Sequence, residues 1–286
     1  MTRTRRHSQR SVRWPRFLSI LLSLGVLGLL GYHVFSQQRL AHAIGSNSEP
    51  PVAITPASRP PRQSEPSQSP SVKPAPRAYF MSVPAQSQFP QLPNGCEVTS
   101  LSMLLSAVGH PVSKMTLAAE MPKAPTPLKL AIYTNSQGQT VHKVTYWGNP
   151  NVGFVGSVYT AGEGYGIYNG PMMHLLSNVL PGRAENLTNH PFSQILDHVG
   201  HGIPVEVWTT LTFKPTTDWV SWNSPQGVVR ATPLEHAVLI VGYNATQLFI
   251  NNPWTGQAGE RIAKAPFIAA WQQLGRQAIT VTAMPK

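Results

Sequence analysis

The sequence predicts an α+β domain over residues 79–286, with one early helix packed on an antiparallel sheet made by later strands. Three observations lead there. Leu101, Leu104, Leu105 and Val108 fall at i, i+3, i+4 and i+7, one apolar stripe of a helix over Cys96–Val108. Runs rich in Val, Ile, Tyr and Phe gather after residue 202. Helix and strand signals do not alternate regularly, which argues against a doubly wound parallel sheet.

Taken in order, the Cys96–Val108 helix follows Pro93-Asn94-Gly95, and Gly109 with Pro111 is placed to end it. Pro122–Gly170 is rich in Gly, Pro and Asn and reads mostly as loop. Pro171–Leu180 and Pro191–Gly200 read as helices. Ile203–Thr210, His236–Tyr243, Gln247–Asn251 and Ala278–Thr282 read as strands, with a turn at Asn244-Ala245-Thr246. Lys264–Leu274 reads as a last helix. No internal repeat is present.

The chain has 286 residues, 22 Lys and Arg against 11 acids, and one cysteine. Eleven of the basic residues lie in 1–78, with Glu49 and Glu65 as the only acids there, so residues 79–286 are close to neutral. A nucleic-acid-binding domain would gather its cations on a folded face, so no nucleic-acid partner is expected. A single cysteine rules out an intrachain disulfide and a thiolate-rich zinc site.

Residues 1–16 are basic. Phe17–Phe35 carries no charge over 19 residues, roughly 28 Å as a helix, close to the ~30 Å hydrocarbon thickness. The arginines before it place the N-terminus in the cytoplasm and the rest outside. We read it as a single-pass signal anchor of the cell membrane. A cleaved signal peptide is the alternative, with Ala41-His42-Ala43 as its site and a secreted domain as its result. Residues 36–78, rich in Pro, Ser and Gln, read as a disordered linker.

Cys96 stands at the predicted start of its helix, where unpaired amides and the positive dipole end favour thiolate over thiol. The other reading is a buried structural cysteine. Of ten histidines, His236 opens an apolar strand, either facing a cleft at the sheet edge or as a satisfied histidine at a strand start, and position alone does not choose. Antiparallel strands joined near Asn244 would return Asn252 beside His236, to accept from its ring. Gln88 and Gln91 both precede Cys96 closely enough to donate to an oxyanion, and sequence does not choose between them.

The stretch Val83-Pro84, Ser87-Gln88, Leu92-Pro93-Asn94-Gly95-Cys96-Glu97-Val98-Thr99-Ser100 resembles the active-site helix of extracellular bacterial peptidases related to cysteine peptidase family thirty-nine. These are papain-like and similar to the domains that remove double-glycine leaders from bacteriocins. Asn149–Gly156, Gly202–Val205, Glu235–Tyr243 and Asn251–Trp254 extend the resemblance in order. It implies a papain-like fold and a thiol peptidase with Cys96 as nucleophile, His236 as base and Gln88 at the oxyanion. It implies a peptide or protein substrate and no cofactor or metal, and we expect a monomer. Asn252 stands where such relatives usually show Asp, which leaves the imidazole oriented but less stabilised as a cation. Two other functions fit the fold: a non-catalytic binding module of the cell envelope, and a thiol amidase or transpeptidase acting on cell-wall peptides.

Other signals carry less. Asp197-His198-Val199-Gly200-His201 offers two histidines without further metal ligands. Gly162-Glu163-Gly164-Tyr165-Gly166 imitates a phosphate loop without the strand-then-helix context. Tyr146, Trp147, Tyr165 and Tyr168 suit a substrate groove or simple packing.

Overall fold

The computed structural model describes residues 75–282. The basic segment, the apolar run 17–35 and the linker as far as residue 74 lie outside the described residues. Among the described residues no helix is long and apolar enough to cross a membrane. Packing against the sheet reaches slightly before Tyr79, where the Tyr243 hydroxyl donates to the Pro76 carbonyl at 2.7 Å.

Helix α1 spans Cys96–Ala107, and nearly all of it is interior: every residue from Cys96 to Leu105 is buried. The single stripe expected from the sequence is therefore a full circumference. Its polar members survive burial because each has a partner. Thr99 Oγ1 donates to Gly95 O at 2.7 Å, Ser100 Oγ to Ala237 O at 3.3 Å and Ser102 Oγ to Val112 O at 2.7 Å. The helix ends as predicted: Gly109 takes φ +77° and the His110 N–H reaches back to Leu105 O at 2.9 Å.

A short helix missed by the sequence reading, α2 (Lys114–Glu120), is capped by Ser113, whose side chain accepts from the Thr116 N–H. Helices α3 (Asn169–Val179), α4 (Phe192–Gly200) and α5 (Lys264–Gln273) lie where expected.

The main sheet holds β1 (Tyr79–Phe80), β7 (Ala184–Asn186), β8 (Val205–Thr210), β11 (Glu235–Tyr243), β12 (Gln247–Asn252), β13 (Gln257–Ala263) and β14 (Ala278–Val281). Its order is β13-β12-β11-β8-β14-β7, with β1 also on β11, and its pairings are antiparallel. β8 and β11 are buried along their whole length, as central strands covered on both faces must be. On one face Trp208, Ala237, Leu239 and Val241 pack with α1, α2 and α3. On the other Val205, Val207, Val238 and Ile240 pack with α4 and α5. The early helix thus lies on an antiparallel sheet in a mixed α+β fold.

Pro122–Gly170 is loop over just more than half of its residues, as expected, but short strands run through it. It contains β2 (Lys123–Ala124), β3 (Lys129–Thr134), β4 (Thr140–Tyr146), β5 (Phe154–Gly156) and β6 (Gly164–Gly166). Together with β9 (Val220–Ser224) and β10 (Gly227–Ala231) they make two small sheets, β10-β9-β4-β3 and β2-β5-β6. A separate apolar cluster of Ala124, Trp147, Val155, Trp222, Val229 and Ala231 joins them.

Candidate active site

Gly95 is required at the mouth of α1: a Cβ there would lie 2.7 Å from Leu92 Cβ. Asn94 fixes the approach by donating to Ser157 O and Thr160 O, both at 2.7 Å. The first helical residue is Cys96, which is 7% exposed. Its Sγ lies 3.4 Å from Glu97 Oε2 and within reach of the Ala237 N–H. The thiol thus rests against the peptide that joins His236 to Ala237. No hydrogen bond links Cys96 to His236.

The expected lowering of the thiol pKa by the helix terminus is overturned. Burial, then the nearby Glu97 and Glu235 carboxyls, push Cys96 well above its ordinary value, and the Ala237 N–H opposes them only in part. Glu97 itself is raised to about 7, chiefly by burial, although Ile167 donates its N–H to Oε1 at 2.8 Å. Glu235 and Glu206 are also raised, first by burial and then by neighbouring carboxyls. Both oxygens of Glu206 and Oε1 of Glu235 are buried without a hydrogen-bond partner. Cys96, Glu97 and Glu235 place one ligand-type atom each within 4.8 Å of the others.

His236 is 1% exposed, so it does not open onto a cleft, the first of its two readings. The Phe213 and Trp254 rings lie 6.3 and 6.5 Å from its ring centroid, and Trp254 is 48% exposed. The hairpin geometry holds. Asn244 Oδ1 accepts from the N–H groups of Thr246 and Gln247 in the turn, and β12 returns antiparallel to β11. Its last residue, Asn252, places Oδ1 2.9 Å from His236 Nε2. Oδ1 also accepts from the Trp254 N–H at 3.0 Å, and Nδ2 donates to Glu260 Oε2 at 2.8 Å. Burial pulls the His236 pKa down to about 4, against the Asn252 bond, which raises it. The imidazole is therefore neutral at pH 7.

The two glutamines separate. Gln91 is exposed, and its Oε1 accepts from Lys114 Nζ at 3.0 Å. Gln88 is 2% exposed and donates from Nε2 to Pro93 O at 2.8 Å, while its backbone N–H reaches Pro253 O at 2.8 Å. That bond ties the approach to Cys96 directly to the turn that carries Asn252.

The set-aside signals resolve into structure. His198 Nε2 pairs with Glu185 at 3.1 Å and His201 Nδ1 with Asp197 at 3.6 Å, so the two rings serve different carboxylates. Gly164 and Gly166 belong to β6, and a Cβ on Gly166 would lie 2.6 Å from Glu97 Oε1. Tyr165 and Tyr168 join hydroxyls at 2.8 Å, Lys129 Nζ lies over the Tyr146 ring, and Trp147 packs on Trp222 while also bordering a cavity. The 540 Å³ cavity bordered by Pro125, Leu128, Trp147 and Glu163 includes neither Cys96 nor His236.

Sequence reasoning missed Glu206, Glu235, Glu260, Phe213 and Trp254 as parts of this neighbourhood. Glu206 had a signal, an acid inside an otherwise apolar strand. Glu235 had one too, since it precedes His236 and must face the opposite side of the sheet. Glu260 had none.

The site is thus a cysteine opening a buried helix, laid on a central antiparallel strand whose histidine is held by an asparagine. The chain belongs to the Peptidase C39-like family, whose model matches residues 80–279. It is 34% identical over 196 residues to the uncharacterized protein YvpB of Bacillus subtilis (strain 168), covering 68% of this chain and 72% of that protein. It is also similar to a crystal structure from Bacillus anthracis, provisionally described as a C39-like peptidase. That match has 36% identity and a TM-score of 0.63, over 73% of this chain and 99% of that one.

Proposed function

We propose that this domain is a papain-like cysteine peptidase that hydrolyses peptide bonds through Cys96, His236 and Asn252, with Gln88 at the oxyanion. The observation that carries this reading is the His236–Asn252 pair. Asn252 holds Nε2 at 2.9 Å, which leaves Nδ1 as the free base, and the Cys96 thiol lies against the very next peptide. Nucleophile and base start as a neutral pair rather than an ion pair, because burial disfavours both charges.

In the reaction the Cys96 side chain turns from Glu97 towards His236. The thiol proton passes to Nδ1 and sulfur attacks the peptide carbonyl. The oxyanion is held by the Cys96 N–H and by the Gln88 amide, which has a second hydrogen beyond the one given to Pro93. Collapse expels the amine with the proton from the imidazolium. Water, giving its proton to His236, then releases the acid and restores the thiol. Gln91, committed to Lys114 at the surface, has no part. The arginine-flanked run 17–35 supports an extracytoplasmic domain on a membrane anchor.

The test compares wild type, Cys96→Ala and His236→Ala with a thiol-directed probe and a peptide library. Labelling and cleavage by wild type alone support the proposal; absence of cleavage by labelled wild type refutes it. A second reading, a non-hydrolytic binding module, draws on the protonated thiol resting on Glu97. Peptide capture equal in wild type and Cys96→Ala, without turnover, would establish it.

A further inference from the structure

Glu260 sits outside every motif singled out in the sequence, yet it makes a short hydrogen bond into the site. β12 and β13 are joined by a tight turn in which the Gly256 N–H donates to Asn252 O at 2.8 Å. Their register shifts between Ile250, which pairs with Glu260, and Asn252, which pairs with Gln257. The bulge moves the Glu260 carboxylate sideways until Oε2 lies 2.8 Å from Asn252 Nδ2. Thr255 Oγ1 donates to the same oxygen at 3.3 Å.

An ionised carboxylate only accepts, so the atom of Asn252 that faces Glu260 must be the NH2 group. Oδ1 then faces the Trp254 N–H and His236 Nε2. An amide oxygen also only accepts, so Nε2 must carry the ring proton and Nδ1 must be bare. Each step follows from donor and acceptor chemistry alone.

We propose that Glu260 is a positioning residue that, through the Asn252 amide, selects the His236 tautomer with a free Nδ1. It rests on the reading of His236 as the base. Glu260 also supplies, one residue further out, the negative charge that Asn252 lacks. A carboxylate at 252 would face Glu260 directly and one of the two would take up a proton. The groups against the ring are the uncharged Asn252, Phe213 and Trp254, with Thr209 opposite it on β8; Glu260 reaches the ring only through Asn252, and Glu235 lies on the other face of β11.

The experiment is long-range ¹H–¹⁵N NMR of the ¹⁵N-histidine-labelled full-length chain, with His236 assigned from a His236→Asn sample, together with kinetics. Wild type should show the Nε2–H tautomer alone. Glu260→Ala should show a mixture and lose about tenfold in kcat with KM within twofold, the scale of one lost charge-assisted hydrogen bond. Glu260→Gln keeps an acceptor in place and should retain the tautomer and kcat within about threefold, which also serves if the alanine variant fails to fold. Asn252→Asp combined with Glu260→Gln should move the His236 midpoint up by at least one pH unit, and Asn252→Asp alone by clearly less. An unchanged tautomer in Glu260→Ala, or equal midpoints in the single and double aspartate variants, overturns the proposal. A tautomer shift in a chain that cleaves no peptide supports the positioning role and refutes the peptidase reading, so the two failures are distinct.

Discussion

Replacing Glu97 by Gln should make Cys96 far more reactive. Glu97 Oε2 lies 3.4 Å from Sγ and is among the groups that keep the thiol protonated. Two full charges at that separation repel by about 5 kcal/mol at an effective dielectric near 20. Glu97 titrates at about 7 and can take up a proton as the thiolate forms, which limits its effect on the thiol to roughly tenfold at pH 8. Glutamine keeps an oxygen for the Ile167 N–H and turns a donor towards sulfur, which favours thiolate further. Iodoacetamide alkylation of the native protein at pH 8 should therefore rise roughly tenfold, with the midpoint of its pH profile moved down. Near-UV circular dichroism and the alkylation rate of urea-unfolded chains control for loss of fold. An unchanged rate and midpoint in a folded Glu97→Gln protein would show that this carboxyl does not govern the thiol.

Gln88→Ala should cut kcat/KM roughly 10²–10³-fold, as loss of an oxyanion donor does, while Gln91→Ala stays within twofold; steady-state peptide hydrolysis reads both. His236 is depressed from 6.5 to about 4 in the folded state, so the unfolded chain binds its proton first and stability falls as pH drops through that window. The loss is about 3 kcal/mol between pH 6.5 and 4, and urea titrations should show it shrink in His236→Asn. Glu206 behaves with the opposite sign. Its raised pKa makes its contribution complete at low pH and lost as pH rises, so Glu206→Gln should raise Tm more at pH 8 than at pH 5. Equal Tm increments at the two pH values in calorimetry would contradict that assignment.

Elements whose signal is local were legible. α1, α4 and α5 carry helical periodicity or clear boundaries, and the β11–β12 hairpin carries an Asn turn between apolar runs. The strands of 123–166 were hidden because β2, β5 and β6 have two or three residues each and exist only through pairing partners elsewhere. β3 and β4 are mostly exposed, so they lack the apolar alternation that marks a half-buried strand. In the site, the His236–Asn252 pairing followed from hairpin geometry and was foreseeable. The protonated state of Cys96 was not. A helix start lowers a thiol pKa only if solvent and charges permit, and here the buried Glu97 and Glu235 outweigh it. Glutamate is seldom buried, yet the Glu97 side chain is wholly interior and its Oε1 accepts from the Ile167 amide.

The period of two in β11 ties these findings together. Ala237, Leu239 and Val241 face α1, while Val238 and Ile240 face α4 and α5. By the same alternation Glu235 is on the side of the thiol and His236 on the opposite side. A pairing of Cys96 with His236 must therefore run around the N-terminal end of β11, past the His236–Ala237 peptide on which the sulfur rests. Two consecutive residues then act on one thiol in opposite directions. Glu235 favours the protonated thiol while it lies towards the helix face, and in the proposed reaction His236 would receive its proton once the side chain turns outward. A ligand that fills the space beside the Ala237 N–H would shift the thiol from the first to the second. Reactivity of Cys96 should on this account rise when a peptide binds, and alkylation rates with and without a peptide bound to the His236→Asn protein, where that acceptor is gone, should differ far less than in wild type.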